Sequence, residues 1–204
     1  MMTNTKALDP VQVTRPCHEC GGTMVGTRQV YDYVECGLSS VRLNDVLVFE
    51  CKCGLRSPEI PAISDLHCFI ALDLLRKQSL LSGEEIKFLR KMAGLSQKEL
   101  ASIMGIDPTR PSKWEKDSAS KEGDRLLRTI FLLGMIQNIT RRKDTEVIKS
   151  LAAEKFIQEL DIRDLLKSID ATDKGPKDIE VRSNATGDDP WFLPGLGESN
   201  LAVA

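Results

Sequence analysis

The chain has 204 residues, enough for one large domain or two small ones. Hydrophobic residues make up 41% and aromatic residues only 5%, which permits an ordered core but leaves little for a large β-sandwich or an aromatic carbohydrate cleft. Lys plus Arg number 28 against 30 for Asp plus Glu, so a formal net charge of -2 neither marks nor excludes a nucleic-acid binder, and any binding face must be local. With two histidines in all, most hydrolytic metal enzymes and Ser-His-Asp arrangements are disfavoured, and no catalytic residue is expected.

Residues 1–16 read as a flexible N-terminus without an apolar run long enough for a signal-peptide core. The longest uncharged apolar stretch, between Arg128 and Arg141, falls short of the roughly 20 residues a membrane span needs. A cytoplasmic protein with no membrane partner is therefore expected. In that compartment thiols stay reduced, and paired cysteines are metal ligands more often than disulfides.

Residues 17–60 carry two such pairs, Cys17-x-x-Cys20 in CHECGG and Cys51-x-Cys53 in CKCG. A thiolate pair on a tight turn holds one edge of a zinc tetrahedron, and the following Gly tolerates the backbone that turns amides toward sulfur. Between the pairs, VYDYVE (Val30 to Glu35) and VLVFE (Val46 to Glu50) read as strands flanking a turn, GLSS, at Gly37 to Ser40. This is the layout of a small zinc ribbon with a structural Zn2+ on Cys17, Cys20, Cys51 and Cys53. Cys36 and His18 stand close enough in sequence to replace one ligand, and buried free thiols are the plain alternative. A ribbon this small would take its folding energy from the ion, so metal removal is expected to unfold residues 17–60 and spare the helices. Cys68 and His67 sit in DLHCFIALDLL, where a core role is favoured.

Helical periodicity begins in the linker, residues 61–81, with Ser64 as N-cap. Residues 82–140 then carry two capping boxes, Ser82 with Glu85 and Ser96 with Glu99, and glycine stops at Gly94 and Gly105. Two short capped helices around a Gly-containing turn, followed by a third helix from about Asp107 to Thr109, make a helix-turn-helix. In such a unit the second helix meets phosphates and the third enters the major groove. Gln97 is placed for phosphate, and Thr109, Arg110, Ser112 and Lys113 face the bases, with Arg able to read guanine bidentately. Trp114 is a core anchor. Seven basic against six acidic residues from Ser82 to Ser118 leave only +1, so the positive side chains must cluster.

LSGEEIKFLRKMAGLSQKELASIMGIDPTRPSKWEKDS (Leu81 to Ser118) resembles the Cro/CI-type (XRE) helix-turn-helix family through GLSQKELA, the turn MGI and the terminal SKWEK. Together with CHECGG, YVECGLSSVRLNDV, CKCG and PEIPAI, residues 17–118 resemble the YgiT-type zinc-finger antitoxins of MqsA type. The resemblance implies a metal-binding region that contacts a cognate toxin and a dimeric domain that binds double-stranded operator DNA. Two departures stand out. The second cysteine pair lacks one intervening residue, and Pro108 and Pro111 fall in the recognition helix, where proline is harmless only in the first turn. That helix is therefore expected to start late, with Thr109 as cap and Pro111 in its first turn.

LLRTIFLLGMIQNI (Leu126 to Ile139) is expected to complete the bundle and offer a homodimer surface. Arg141, Arg142 and Lys143 form a basic cluster that reads as a solvated face. Residues 141–170 form a helical extension, and 171–204 read as a flexible acidic tail holding an apolar island, WFLPGLG, with the form of a docking peptide. The fold class expected is α+β: a small N-terminal β-rich zinc ribbon, then an all-α helix-turn-helix bundle with a C-terminal helical extension and tail. The function expected is an antitoxin-type repressor. The alternative is a stand-alone regulator whose ribbon makes protein contacts or senses metal or redox state.

Overall fold

The computed structural model describes residues 13–141, 178–183 and 191–192. Strands β1 (Val13–Pro16), β2 (Thr23–Asp32), β3 (Val41–Cys51) and β4 (Arg56–Glu59) build an antiparallel sheet at the N-terminal end. Helices α1 (Ile63–Arg76), α2 (Gly83–Met92), α3 (Gln97–Met104), α4 (Arg110–Trp114) and α5 (Lys121–Arg141) follow. The α+β layout expected from the sequence is the one observed.

β3 is the spine of the sheet, paired with β2 on one edge and with β4 on the other. Val41, Leu43, Val46 and Val48 turn inward, and the change of phase between Leu43 and Val46 marks an extra residue in β3. Asp45 sits there at φ 61°, a bulge residue in a left-handed conformation that Asp tolerates better than most side chains. The inward side chains do not close a separate ribbon core. They join Leu66, Ile70, Leu74, Ile86, Leu89, Leu127 and Phe131 in one continuous hydrophobic cluster. Among the described residues, Cys17, Met24 and Phe49 form a second, small cluster at the cysteine end, with Leu47, Cys51 and Leu55 packed against it. Independent unfolding of residues 17–60 on metal loss is thus not what this packing favours, because most of the sheet's apolar burial is shared with the helices.

Both capping boxes are present. The Ser82 and Ser96 hydroxyls accept from the N–H of Glu85 and Glu99, whose carboxylates reach back to the cap N–H groups. The expected cap at Ser64 is corrected: α1 begins at Ile63 behind Ala62, which has φ 43° and makes no side-chain cap. Backbone bonds from Asp65 N–H and Leu66 N–H to Ala62 O, at 2.9 and 3.1 Å, close the first turn instead. The other end of α1 is held from a distance. Arg128, 1% exposed, donates to the carbonyls of Leu74, Leu75, Lys77 and Ser79 and to Asp124 Oδ2 at 2.7–2.9 Å. Asp124 Oδ1 in turn accepts from Leu81 N–H at 2.8 Å. One guanidinium thereby satisfies helix-end carbonyls and the turn that leads into α2, a use of its planar fork that Lys cannot copy.

The flexible tail expected over 171–204 is corrected at its described residues. Strand β5 (Ile179–Ser183) lies parallel to β3 over Val41 to Asn44, and β6 (Trp191–Phe192) pairs with β5. Trp191, in the apolar island, is 1% exposed and belongs to the main core, with its Nε1–H on the Pro61 carbonyl at 2.7 Å. Burial of an indole with its one donor satisfied outweighs the polar composition around it. The N-terminal segment 1–12, the basic cluster beyond Arg141 and the helical extension lie outside the described residues.

Candidate metal centre and nucleic-acid interface

At the sheet's far end, β2 and β3 present two knuckles to each other, because their register sets Met24 opposite Cys51. The first knuckle closes through Cys17 N–H to Gly22 O at 2.7 Å and Gly21 N–H to Cys17 O at 2.9 Å. The second closes through Cys51 N–H to Leu55 O and Gly54 N–H to Cys51 O, both 2.9 Å. Gly21 and Gly54 take φ of 71° and 93°, which explains a glycine after each pair. A Cβ on Gly22 would stand 3.2 Å from Cys20 Sγ, so the bare backbone also makes room for sulfur.

The Sγ atoms of Cys17, Cys20, Cys51 and Cys53 all lie within 4.8 Å of one another, with Cys17 to Cys53 at 3.7 Å and Cys20 to Cys51 at 3.5 Å. A tetrahedral ion with metal–sulfur bonds of about 2.3 Å requires sulfur–sulfur edges of about 3.8 Å. The four thiols fit that cage. Cys51 belongs to β3 itself, so the strand takes over the positioning that a second spacer residue would supply, and one residue between Cys51 and Cys53 suffices. The Cys20 backbone N–H, outweighing partial burial, lowers the Cys17 thiol to about 6, so it is ready to ligate as thiolate near neutral pH. Cys53 shifts upward: the Leu55 N–H lowers it, but the neighbouring Cys51 thiol and desolvation prevail.

Neither alternative ligand joins the cluster. His18 is exposed beside Glu19, with Nε2 to Oε1 at 3.7 Å. Cys36 donates its S–H to Tyr33 O at 3.0 Å, and burial pushes its thiol up. Cys68 and His67 lie on α1, away from the cage. His67 is wedged between the Tyr33 hydroxyl, 3.1 Å from Nε2, and the edge of Phe88, and burial lowers its pKa.

The second site is α3, the turn after it, and α4. Gly105, at φ 63°, ends α3, and the chain reverses through Ile106 to Thr109. Thr109 occupies the cap position of α4 but makes no side-chain cap. Its N–H and hydroxyl both go to Asp107 Oδ1, at 2.8 and 2.5 Å, and the hydroxyl is the main reason the Asp107 carboxyl lies below its ordinary range. Asp107 thus arranges the turn, a role the sequence did not reveal. Pro111 falls in the first turn and is buried, as its chemistry demanded.

Thr109, Arg110 and Lys113 are exposed at this end, with Ser112 half-buried beside them. Lys98 on α3 and Lys116 after α4 are exposed as well, but so are Glu99, Asp107 and Asp117, so this end presents four positive side chains against three negative ones. Gln97 has a different environment. Its Nε2 donates to Glu115 Oε2 at 2.8 Å, and Glu115 is paired with Arg90 Nε at 2.6 Å in a nearly buried contact. Arg90 also donates to Leu95 O at 2.6 Å. This clasp joins α2, α3 and the end of α4. Trp114 packs half-buried against the main core, as an anchor should.

A helix-turn-helix family model matches residues 86–128. The matched segment begins inside α2 and ends at the Arg128 clamp, so it contains the whole α3-turn-α4 unit. It supports a DNA-binding transcription regulator, a class whose members typically carry out no catalysis. No curated protein and no solved structure matches the chain. Among the described residues, no helix is long and apolar enough to cross a membrane.

Proposed function

We propose that this chain is a sequence-specific repressor of antitoxin type, which binds its operator as a dimer and a partner toxin through its metal-bound N-terminal end. The carrying observation is the exposed set Thr109, Arg110 and Lys113 on a short helix whose back is fixed by the Arg90–Glu115–Gln97 clasp. Arg110 reads a base edge in the major groove, Lys113 and Thr109 contact bases or phosphate, and Ser112 makes an adaptable contact. Gln97 serves phosphate through the amide hydrogen that Glu115 does not hold and through its own backbone N–H in the first turn of α3.

The metal is Zn2+, held by Cys17, Cys20, Cys51 and Cys53, where four thiolates favour a closed structural site over an open catalytic one. When bound, the ion cross-links the two knuckles and stiffens the sheet end that meets the toxin. The assignment of residues 17–60 to toxin and metal, and 82–140 to DNA, follows from this reading. Dimerisation uses α5, where Leu126 and Leu133 are 47% and 62% exposed one heptad apart. A twofold pair of α4 helices then meets half-sites roughly 34–36 Å apart.

Footprinting of the DNA upstream of the gene, with native protein and Arg110→Ala, tests the DNA half of this reading. Arg110→Ala is expected to weaken the specific site by about 1–3 kcal/mol while leaving random DNA less affected. An equal loss on both would remove the base-reading role from Arg110. Co-purification with the product of an adjacent gene tests the toxin half, and absence of any such product favours a stand-alone regulator.

A further inference from the structure

Side chains of opposite charge repeatedly pair in this fold. Arg90 meets Glu115, Lys77 meets Glu85 and Arg128 meets Asp124 among the helices, and Arg28, Arg42 and Arg56 each pair with a carboxylate on the sheet. The turn into α4 departs from that rule. Asp107, Arg110 and Lys113 follow one another closely and are all exposed, yet among the described residues none of the three makes an ion pair.

Asp107 also uses only one of its two oxygens. Oδ1 accepts from the Thr109 N–H at 2.8 Å and from the Thr109 hydroxyl at 2.5 Å, and among the described residues Oδ2 accepts from nothing. The Arg110 N–H donates to the Asp107 carbonyl at 3.0 Å, so the acid and the arginine are held in one turn. The two Thr109 donors hold the Asp107 carboxyl below its ordinary range, and Lys113 and Arg110 add to this, so it meets a ligand ionised. The same bond fixes the character of Thr109. With its one proton on Oδ1, the hydroxyl has only lone pairs left and no donor for a phosphate. An uncharged Asn or Ser holds such a turn as well, through one oxygen. The turn by itself therefore does not call for a full negative charge on a face that meets a polyanion.

We infer that Asp107 is a base-reading residue: its Oδ2 accepts from the N4 amino group of a cytosine in the half-site whose guanine Arg110 reads, and the Thr109 hydroxyl stands beside it as a second acceptor. This role rests on α4 being the helix that enters the groove. A carboxylate there selects by what it refuses as well as by what it accepts. On the major-groove edge guanine shows two acceptors, thymine an acceptor and a methyl group, and adenine an amino group next to the N7 acceptor. Cytosine alone shows an amino donor with no acceptor beside it. Phosphate oxygens are refused by like charge, which disfavours any docking of α4 that turns Asp107 to the DNA backbone. Arg110 supplies donors only and Asp107 acceptors only, so together they require a G·C pair at each of the two positions they read.

Selection from a pool of randomised duplex DNA, carried out with the full-length native protein, Asp107→Asn and Arg110→Ala, tests this. The native protein is expected to select half-sites with a required cytosine as well as a guanine. Changing that C·G pair to T·A in the selected duplex is expected to weaken native binding at least about tenfold in fluorescence anisotropy, the size of one good base contact. Asp107→Asn keeps an oxygen for the Thr109 bonds and puts an amino donor in place of Oδ2, so its preference is expected to move from cytosine to a base that offers an acceptor. Arg110→Ala is expected to relax the guanine and keep the cytosine. An Asp107 that only forms the turn predicts one consensus for the native protein and Asp107→Asn, with at most a uniform change in affinity. That result, or a native consensus without a required cytosine, would overturn the role of Asp107 and leave α4 as the recognition helix. If the native protein selects no sequence at all, the DNA-reading role of α4 fails and this one with it. Should Asp107→Asn not fold, Asp107→Ser takes its place: its hydroxyl caps the turn without a second oxygen, and it is expected to lose the cytosine requirement, whereas keeping it would sink the inference.

Discussion

Arg128→Met is the substitution whose consequence the structure defines most fully. It removes five donated hydrogen bonds and leaves Asp124, with 5% of its side chain exposed, facing only the Leu81 N–H among the described residues. Breaking one side of a buried ion pair costs about 3–5 kcal/mol, because the remaining charge keeps its desolvation cost without its partner. Against a total stability of about 5–15 kcal/mol, that is a large fraction. For a chain of this size each kcal/mol moves the melting temperature by about 2–4 °C, so a fall of roughly 6–20 °C is expected. Urea denaturation followed by far-UV circular dichroism gives the free energy directly. The double variant Arg128→Met with Asp124→Asn keeps an acceptor for Leu81 and removes the orphaned charge. It is expected to be more stable than Arg128→Met alone, with a coupling of about 0.5–3 kcal/mol. A loss below about 1 kcal/mol for Arg128→Met would show that the guanidinium does not hold α1 to the bundle.

Glu115→Ala frees Arg90 and Gln97 at once and is expected to weaken operator binding without removing any group proposed to touch DNA. Fluorescence anisotropy with operator DNA reads this, and unchanged affinity in a folded variant would separate the clasp from recognition. Chelation of the bound metal is expected to raise amide exchange at Cys17 to Met24 and at Cys51 to Leu55 while Val41, Leu43 and Val48 stay protected. Collapse of protection along the whole of β3 would mean that the shared core does not carry the sheet. His67 gives the pH dependence. Burial lowers its folded-state pKa, so below its ordinary 6.5 the unfolded chain takes up a proton that the folded chain refuses. Its contribution to stability is therefore complete above pH 6.5 and is lost progressively below that until the folded-state pKa is passed. His67→Gln is expected to flatten the melting temperature between pH 7 and 5. The capping carboxylate of Glu99 and that of Asp107, both held low by hydroxyl donors, act only in a more acidic window.

Much of this protein is readable from local rules. Each capping box is a four-residue signal with a mechanism inside it, and Ser82 to Glu85 and Ser96 to Glu99 fold as their side chains dictate. The glycines after each cysteine pair declare turns with positive φ, and each pair declares its own two thiols, while the β2–β3 register brings the two pairs together. Pro111 fixes where α4 can begin, since proline has no N–H to offer an interior turn. Such features depend on neighbours within a few residues, so order along the chain is enough to specify them.

What the order of residues did not reveal depends on partners far apart. In the sequence Arg128 only bounds an apolar stretch, and its role appears when the carbonyls of Leu74, Leu75, Lys77 and Ser79, some fifty residues earlier, surround it. Gln97 reads as a free polar group at a helix start until Glu115 takes its amide. Trp191 reads as part of a solvated tail, because composition averages over a window and one indole hardly changes the average. Its place is decided by a cavity and an acceptor built from the other end of the chain. Long-range contacts are selected by the shape and unsatisfied groups of the assembled core, and neither exists before the chain has folded.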